Sequence, residues 1–145
     1  MLRKLRRWVA GDPPSSRPAP APVPASHPAW TAPQDVTDAD FVDKVLQAEG
    51  LVVVDFWAEW CSPCTIMAAH VQMLAQEFGA QLAVAALDVD ENPIVTQHYQ
   101  VMGLPTLIFF RRGLEIDRQV GVAAYEELRQ RVAGLIAAAD SAMPS

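Results

Sequence analysis

Cys61 and Cys64 are the only cysteines of the chain, three positions apart in Trp60-Cys61-Ser62-Pro63-Cys64. Two thiols at that spacing can close a small ring on each other, which suits reversible disulfide chemistry. The thiolate is the reactive form, and free backbone N–H groups at the positive end of a helix dipole favour it. The neighbouring residues supply such a setting. Leu51-Val52-Val53-Val54-Asp55-Phe56-Trp57 reads as a buried strand running into the pair, Pro63 stands where a helix can begin, and Gly79 where it can end. Cys61, at the junction, is expected to expose its sulfur and act as nucleophile. Cys64, one turn inside the helix, is expected to be more covered and to resolve the mixed disulfide. Pro63 restrains the loop and lacks an N–H that the helix leaves free in any case.

Other uses of a Cys-x-x-Cys pair fit less well. A structural zinc site takes four ligands, and beyond this pair the chain offers only His27, His70 and His98, so no metal site is expected. A purely structural disulfide over so small a loop restricts the unfolded chain little. Asp55 stands mid-strand in an apolar run, where a carboxylate is costly without a task. Burial should raise its pKa toward the range of a general base. The alternative is an aspartate held in a structural hydrogen-bond network. Trp60 is either a flat apolar platform for a substrate chain or an ordinary core aromatic.

The segment Val54-Asp55-Phe56-Trp57-Ala58-Glu59-Trp60-Cys61-Ser62-Pro63-Cys64 resembles the active-site segment of thioredoxins. Gly103-Leu104-Pro105-Thr106-Leu107 resembles the family's cis-proline loop, and Gly113 and Gly121 match a hairpin-turn glycine and that of a loop beside the active site. The resemblance covers residues 34–139. It implies an α/β thioredoxin fold, a mixed central sheet with an antiparallel edge hairpin between two helical layers. It also implies a protein thiol-disulfide oxidoreductase working through a Cys61–Cys64 disulfide. Asp55 would then be the proton acceptor and donor for Cys64, and Leu104-Pro105 a cis peptide. Trp60, Gly103, Leu104, Pro105 and Gly121 would line the substrate surface. No bound cofactor is implied; electrons would come from an NADPH-linked, flavin-containing thioredoxin reductase. Three residues depart from the usual pattern: Ser62 replaces a glycine, Ala69 a helix-kinking proline, and Ala86 a lysine that many thioredoxins carry close to the buried acid.

The net charge of −6 conceals a division. Residues 1–34 carry Arg3, Lys4, Arg6, Arg7 and Arg17 against Asp12 alone, whereas the remainder holds six basic and sixteen acidic side chains. The acidic part is a poor nucleic-acid binder, since such binding neutralises phosphates. The chain suffices for one domain at 34–145, expected to be a monomer. Residues 1–10 are basic, with Leu2, Leu5, Trp8 and Val9 on one helical face, and residues 11–33 hold eight of the twelve prolines. The expectation for 1–33 is a disordered basic segment and a polyproline-like linker, with a reach on the order of 70 Å when extended. With no further cysteine and no apolar core of a secretory signal, a reducing, cytoplasmic location is expected. The alternative is an organelle address or a membrane-surface contact through residues 1–10.

The elements then read α-β-α-β-α-β-β-α. A helix capped by Thr37 is expected over 37–48 with Phe41, Val45 and Leu46 inward and Asp38 and Asp40 favourable in its first turn, then strand 51–57 and a helix over 63–78 presenting Met67, Val71, Leu74 and Phe78. A strand over 82–89, a helix over 93–100, strands 106–110 and 114–120 around a turn at Arg111-Arg112-Gly113, and a helix over 123–139 follow. A short first strand at 34–36 is conceivable, although Pro33 weakens it. Partners should be disulfide-containing proteins and the reductase. Two rivals remain: an oxidase or isomerase in an oxidising compartment, and a binding module or holdase without turnover.

Overall fold

The computed structural model describes residue 30 and residues 32–142. The basic segment and most of the proline-rich linker therefore lie outside the described residues. The uninterrupted apolar run Leu51–Trp57 forms a strand, β2, with both faces covered, as a central strand in a layered fold must be. Gln34–Asp35 forms β1, Ala83–Asp88 β3, Thr106–Arg111 β4 and Leu114–Val120 β5. The sheet order is β1-β3-β2-β4-β5. β1 and β2 both run parallel to β3, while β2–β4 and β4–β5 are antiparallel. The expected short first strand exists despite Pro33, because it lies at the sheet edge.

Side-chain alternation sorts the core into two clusters. Val52, Val54 and Phe56 of β2 join Ala83, Ala85 and Leu87 of β3 and Phe110 of β4 beneath Phe41, Val45 and Val95. Leu51, Val53, Val84, Leu107 and Phe109 face the other way. They pack on Met67, Val71 and Leu74 of helix α1 (Pro63–Phe78) and on Leu128 and Val132 of helix α3 (Tyr125–Ala142). Truncating a fully buried leucine such as Leu74 to alanine should cost about 2–5 kcal/mol. Helix α2 (Pro93–His98) lies on the first face, so the sheet is sandwiched between two helical layers.

The helix expected over 37–48 is not an ordinary one. Only a short, wide helical segment forms, Val42–Leu46, with Gln47 N–H donating to the Val42 carbonyl. Thr37 does not cap it; the Thr37 N–H instead donates to Asp40 Oδ1 at 2.7 Å. Asp38, expected to favour that helix, serves α2. Its carboxylate accepts from the N–H groups of Ile94 at 3.1 Å and Val95 at 2.9 Å. The physical reason is that the first-turn N–H groups of α2 have no helical partner, and the Asn92 side chain is engaged elsewhere. Asn92 Oδ1 accepts from Asp38 N–H at 2.8 Å, and its amide donates to the Asp88 carbonyl.

Strands 51–57 and 114–120 and the helix over 63–78 fall where expected, and the other boundaries move by one to three residues. Gly79 ends α1 at φ 52° with its N–H on the Ala75 carbonyl. The hairpin turn is two residues, since Arg111 pairs with Leu114 and both Arg112 and Gly113 have positive φ, as the twist of such hairpins favours. A Cβ at Gly113 would also stand 3.2 Å from the Leu46 carbonyl oxygen, so this glycine is required twice over.

Candidate active site

β2 delivers the chain to the cysteines. After Trp57 one turn of backbone, with Cys61 N–H on the Ala58 carbonyl and Cys64 N–H on the Cys61 carbonyl, leads into α1. Cys61 and Cys64 are joined in a disulfide with Cα atoms 5.4 Å apart. Both are largely covered: Cys61 is 6% exposed and Cys64 3%. Cys61, expected to expose its sulfur, is therefore buried like its partner, because Leu104 packs on the pair, and the small difference does not separate a leading from a resolving thiol. Ser62 occupies the N-cap position without a side-chain cap bond, and Pro63 is the first helical residue.

Around the pair three loops converge. Leu104-Pro105 is a cis peptide, as the resemblance implied, and Leu104 packs against Ala58, Cys61 and Cys64. The Thr106 hydroxyl donates to the Gly103 carbonyl at 2.6 Å, fixing the start of that loop. Gly121, at φ 86°, donates its N–H to the Pro105 carbonyl at 2.7 Å and so ties the third loop to the second. Gly103 stands close to Val120, since a Cβ added there would be 3.6 Å from its Cγ1.

Trp60 is 70% exposed, which excludes the core reading. Its indole N–H donates to Asp90 Oδ2 at 2.9 Å, and Asp90 N–H donates to Asp88 Oδ1. Asp90 was not singled out in the sequence; thirty residues separate it from Trp60, and an aspartate after a strand carries no signal of its own. Met102, next to Gly103, is 92% exposed, and Val120 at the end of β5 and Val122 just after it are exposed as well.

Asp55 lies on the face of β2 that carries α1, 2% exposed, with its Oδ1 lacking a hydrogen-bond partner among the described residues. Burial pushes its pKa up to about 7. The structural-network alternative is thus not what the fold builds, because the network is missing. Asp55 pairs in register with Ala86 of β3 and with Leu107 of β4. It shares a cavity of about 410 Å³ with Cys61, Cys64, Trp57 and Ala86. His70 is a satisfied helix residue, its Nδ1 3.1 Å from the Ala123 carbonyl oxygen.

The Thioredoxin family model matches residues 32–134. The chain belongs to the thioredoxin family. Thioredoxins of Staphylococcus aureus, from strains Mu50 / ATCC 700699 and MW2 among others, are 44% identical over 95 residues. That stretch is 66% of this chain and 89% of each relative. With its paired cysteines at the head of α1, this thioredoxin-family chain is a thiol-disulfide oxidoreductase acting as a protein-disulfide reductase. No helix among the described residues is long and apolar enough to cross a membrane.

Proposed function

We propose that the chain reduces disulfides of other proteins with Cys61 as the attacking thiolate and Cys64 as the resolving thiol. The single observation that carries the assignment is the Cys61–Cys64 bond at the start of α1, with Leu104 packed on it and Asp55 beside the same cavity. In the reduced protein, Cys61 Sγ attacks one sulfur of the substrate bond, forming a mixed disulfide and releasing the other sulfur as a thiolate. Asp55 accepts the Cys64 proton, and Cys64 Sγ then attacks Cys61 Sγ. The Cys61–Cys64 bond forms, the substrate's second sulfur leaves and takes up a proton, and the substrate gains two electrons in all. A carboxylate whose pKa lies near 7 is suited to that transfer.

Trp60, Gly103, Leu104, Pro105 and Gly121 form the surface on which an extended substrate segment lies, with backbone pairing at Leu104. An NADPH-linked, flavin-containing thioredoxin reductase returns the electrons, and the protein works as a monomer in a reducing, cytoplasmic setting. Insulin-disulfide reduction with and without such a reductase and NADPH is the test. Turnover sustained only by the coupled system supports the reading. Net oxidation of a reduced substrate, or no turnover with the coupled system, rejects it.

A further inference from the structure

The cavity beside Asp55 is larger than proton transfer to one thiol demands, and its volume of about 410 Å³ falls in the range of small-molecule sites. Its walls are mostly apolar, with Trp57 and Ala86 on the sheet side and Ala68 on α1. Asp55 lines this apolar space with its carboxylate 2% exposed, and its sealed Oδ1 has no hydrogen bond among the described residues. None of the ion pairs among the described residues includes it. Two further carboxylates line the cavity, Asp35 from β1 and Glu59 from the loop after β2, both exposed. No basic side chain among the described residues does.

That combination selects a ligand chemistry. Three carboxylates repel anions. A hard divalent cation needs six or more oxygen ligands, and no cluster fit for a metal is found among the described residues. A neutral apolar molecule would leave the Asp55 oxygen unpaired, at a cost of about 1–3 kcal/mol. A primary ammonium on a hydrocarbon chain meets every requirement: three N–H donors for the carboxylate, a charge that an indole face attracts, and a stem for the apolar walls. We propose that this cavity binds a primary alkylammonium group, its nitrogen at Asp55 and its chain along Trp57, Ala68 and Ala86.

Such a ligand holds Asp55 ionised. Affinity should therefore rise as pH climbs through about 7, where the unliganded carboxyl loses its proton. Asp35 and Glu59 are the other acids facing the site; the turn before α1 adds Cys61 and α1 adds Cys64, which as a disulfide do not titrate, and β3 lines it with Ala86 alone.

Calorimetric titration of the oxidised full chain with n-butylammonium chloride and with n-butanol tests the proposal. The ammonium should bind at least about tenfold more tightly than the alcohol, and more tightly above the Asp55 pKa than below it. Asp55→Asn should erase that preference. Ala86→Leu, which fills the cavity, should abolish binding. Ala68→Leu, on the exposed face of α1, should do the same without burdening the fold. Equal affinity for amine and alcohol, or amine binding unchanged in Asp55→Asn and in Ala68→Leu, would overturn it. Nα-acetyl-lysine methylamide in parallel identifies the source. Binding of both probes points to a lysine side chain of a polypeptide, and binding of butylammonium alone to a free amine.

Discussion

Trp60 and Asp90 meet across the mouth of the active site, the indole N–H donating to the carboxylate at 2.9 Å while the ring itself stands 70% exposed. An exposed aromatic normally samples several rotamers; this one is tethered from a loop thirty residues away. Asp90 is itself braced by its backbone N–H on Asp88. The tether restricts the ring of the residue next to Cys61, so part of the ordering cost of substrate binding is already met in the free protein.

Asp90→Ala should therefore raise KM for a protein disulfide by roughly fivefold, equivalent to about 1 kcal/mol for one hydrogen bond, with kcat nearly unchanged. Steady-state insulin reduction separates the two constants. A fall in kcat with KM unchanged would show that Asp90 acts on the chemistry and not on the platform.

Cys61→Ser should abolish turnover, while Cys64→Ser should accumulate a mixed disulfide on Cys61 because only the resolving thiol is missing. Mass spectrometry of the trapped adducts reads the site directly. Adducts on Cys64 of the Cys61→Ser variant, with none in the reverse case, would exchange the two roles.

Asp55 should make the protein less stable as pH rises. Its folded pKa is lifted from 3.8 to about 7 by burial, so between those values the folded state holds a proton that the unfolded state has lost. The group's contribution to stability is full below the unfolded value and is lost as pH climbs through the folded one, on the order of 1.4 kcal/mol per pH unit. Asp55→Asn should remove that slope, be the more stable protein at neutral pH and above, and slow the resolving step. Urea unfolding at a series of pH values compares them; parallel stability profiles would mean that Asp55 finds a cation in solution.

Asp38→Ala should cost about 1–2 kcal/mol, since both first-turn N–H groups it receives on α2 lose their acceptor at once. Insulin reduction should be unaffected at temperatures where the variant remains folded. Thermal unfolding followed by circular dichroism is the measurement, and an unchanged midpoint would show that solvent replaces the carboxylate.

The linear order of residues determined a good deal by itself. The run 51–57 carries its own strand signal and allows no polar face, so a central position follows from composition alone. The glycine at 113, after Arg112, announces a tight hairpin between two strands, because positive φ is inexpensive there. Cys61, Cys64 and the cis Leu104-Pro105 loop were legible from local motifs. Each of these signals acts within a few residues of chain.

What the tertiary structure alone decided are the relationships between distant segments. Asp38 looked like part of the first turn of its own helix, yet its carboxylate reaches α2, more than fifty residues on, because that is where unpaired N–H groups lie. Trp60 was a core or a surface residue until Asp90 was brought alongside it. The space in front of Asp55 exists because β3 places a methyl group, Ala86, level with a carboxylate on β2, and no neighbour fills the difference. Burial, pairing and empty volume depend on what the rest of the chain puts beside a residue, and a sequence pattern records only what stands next to it along the backbone.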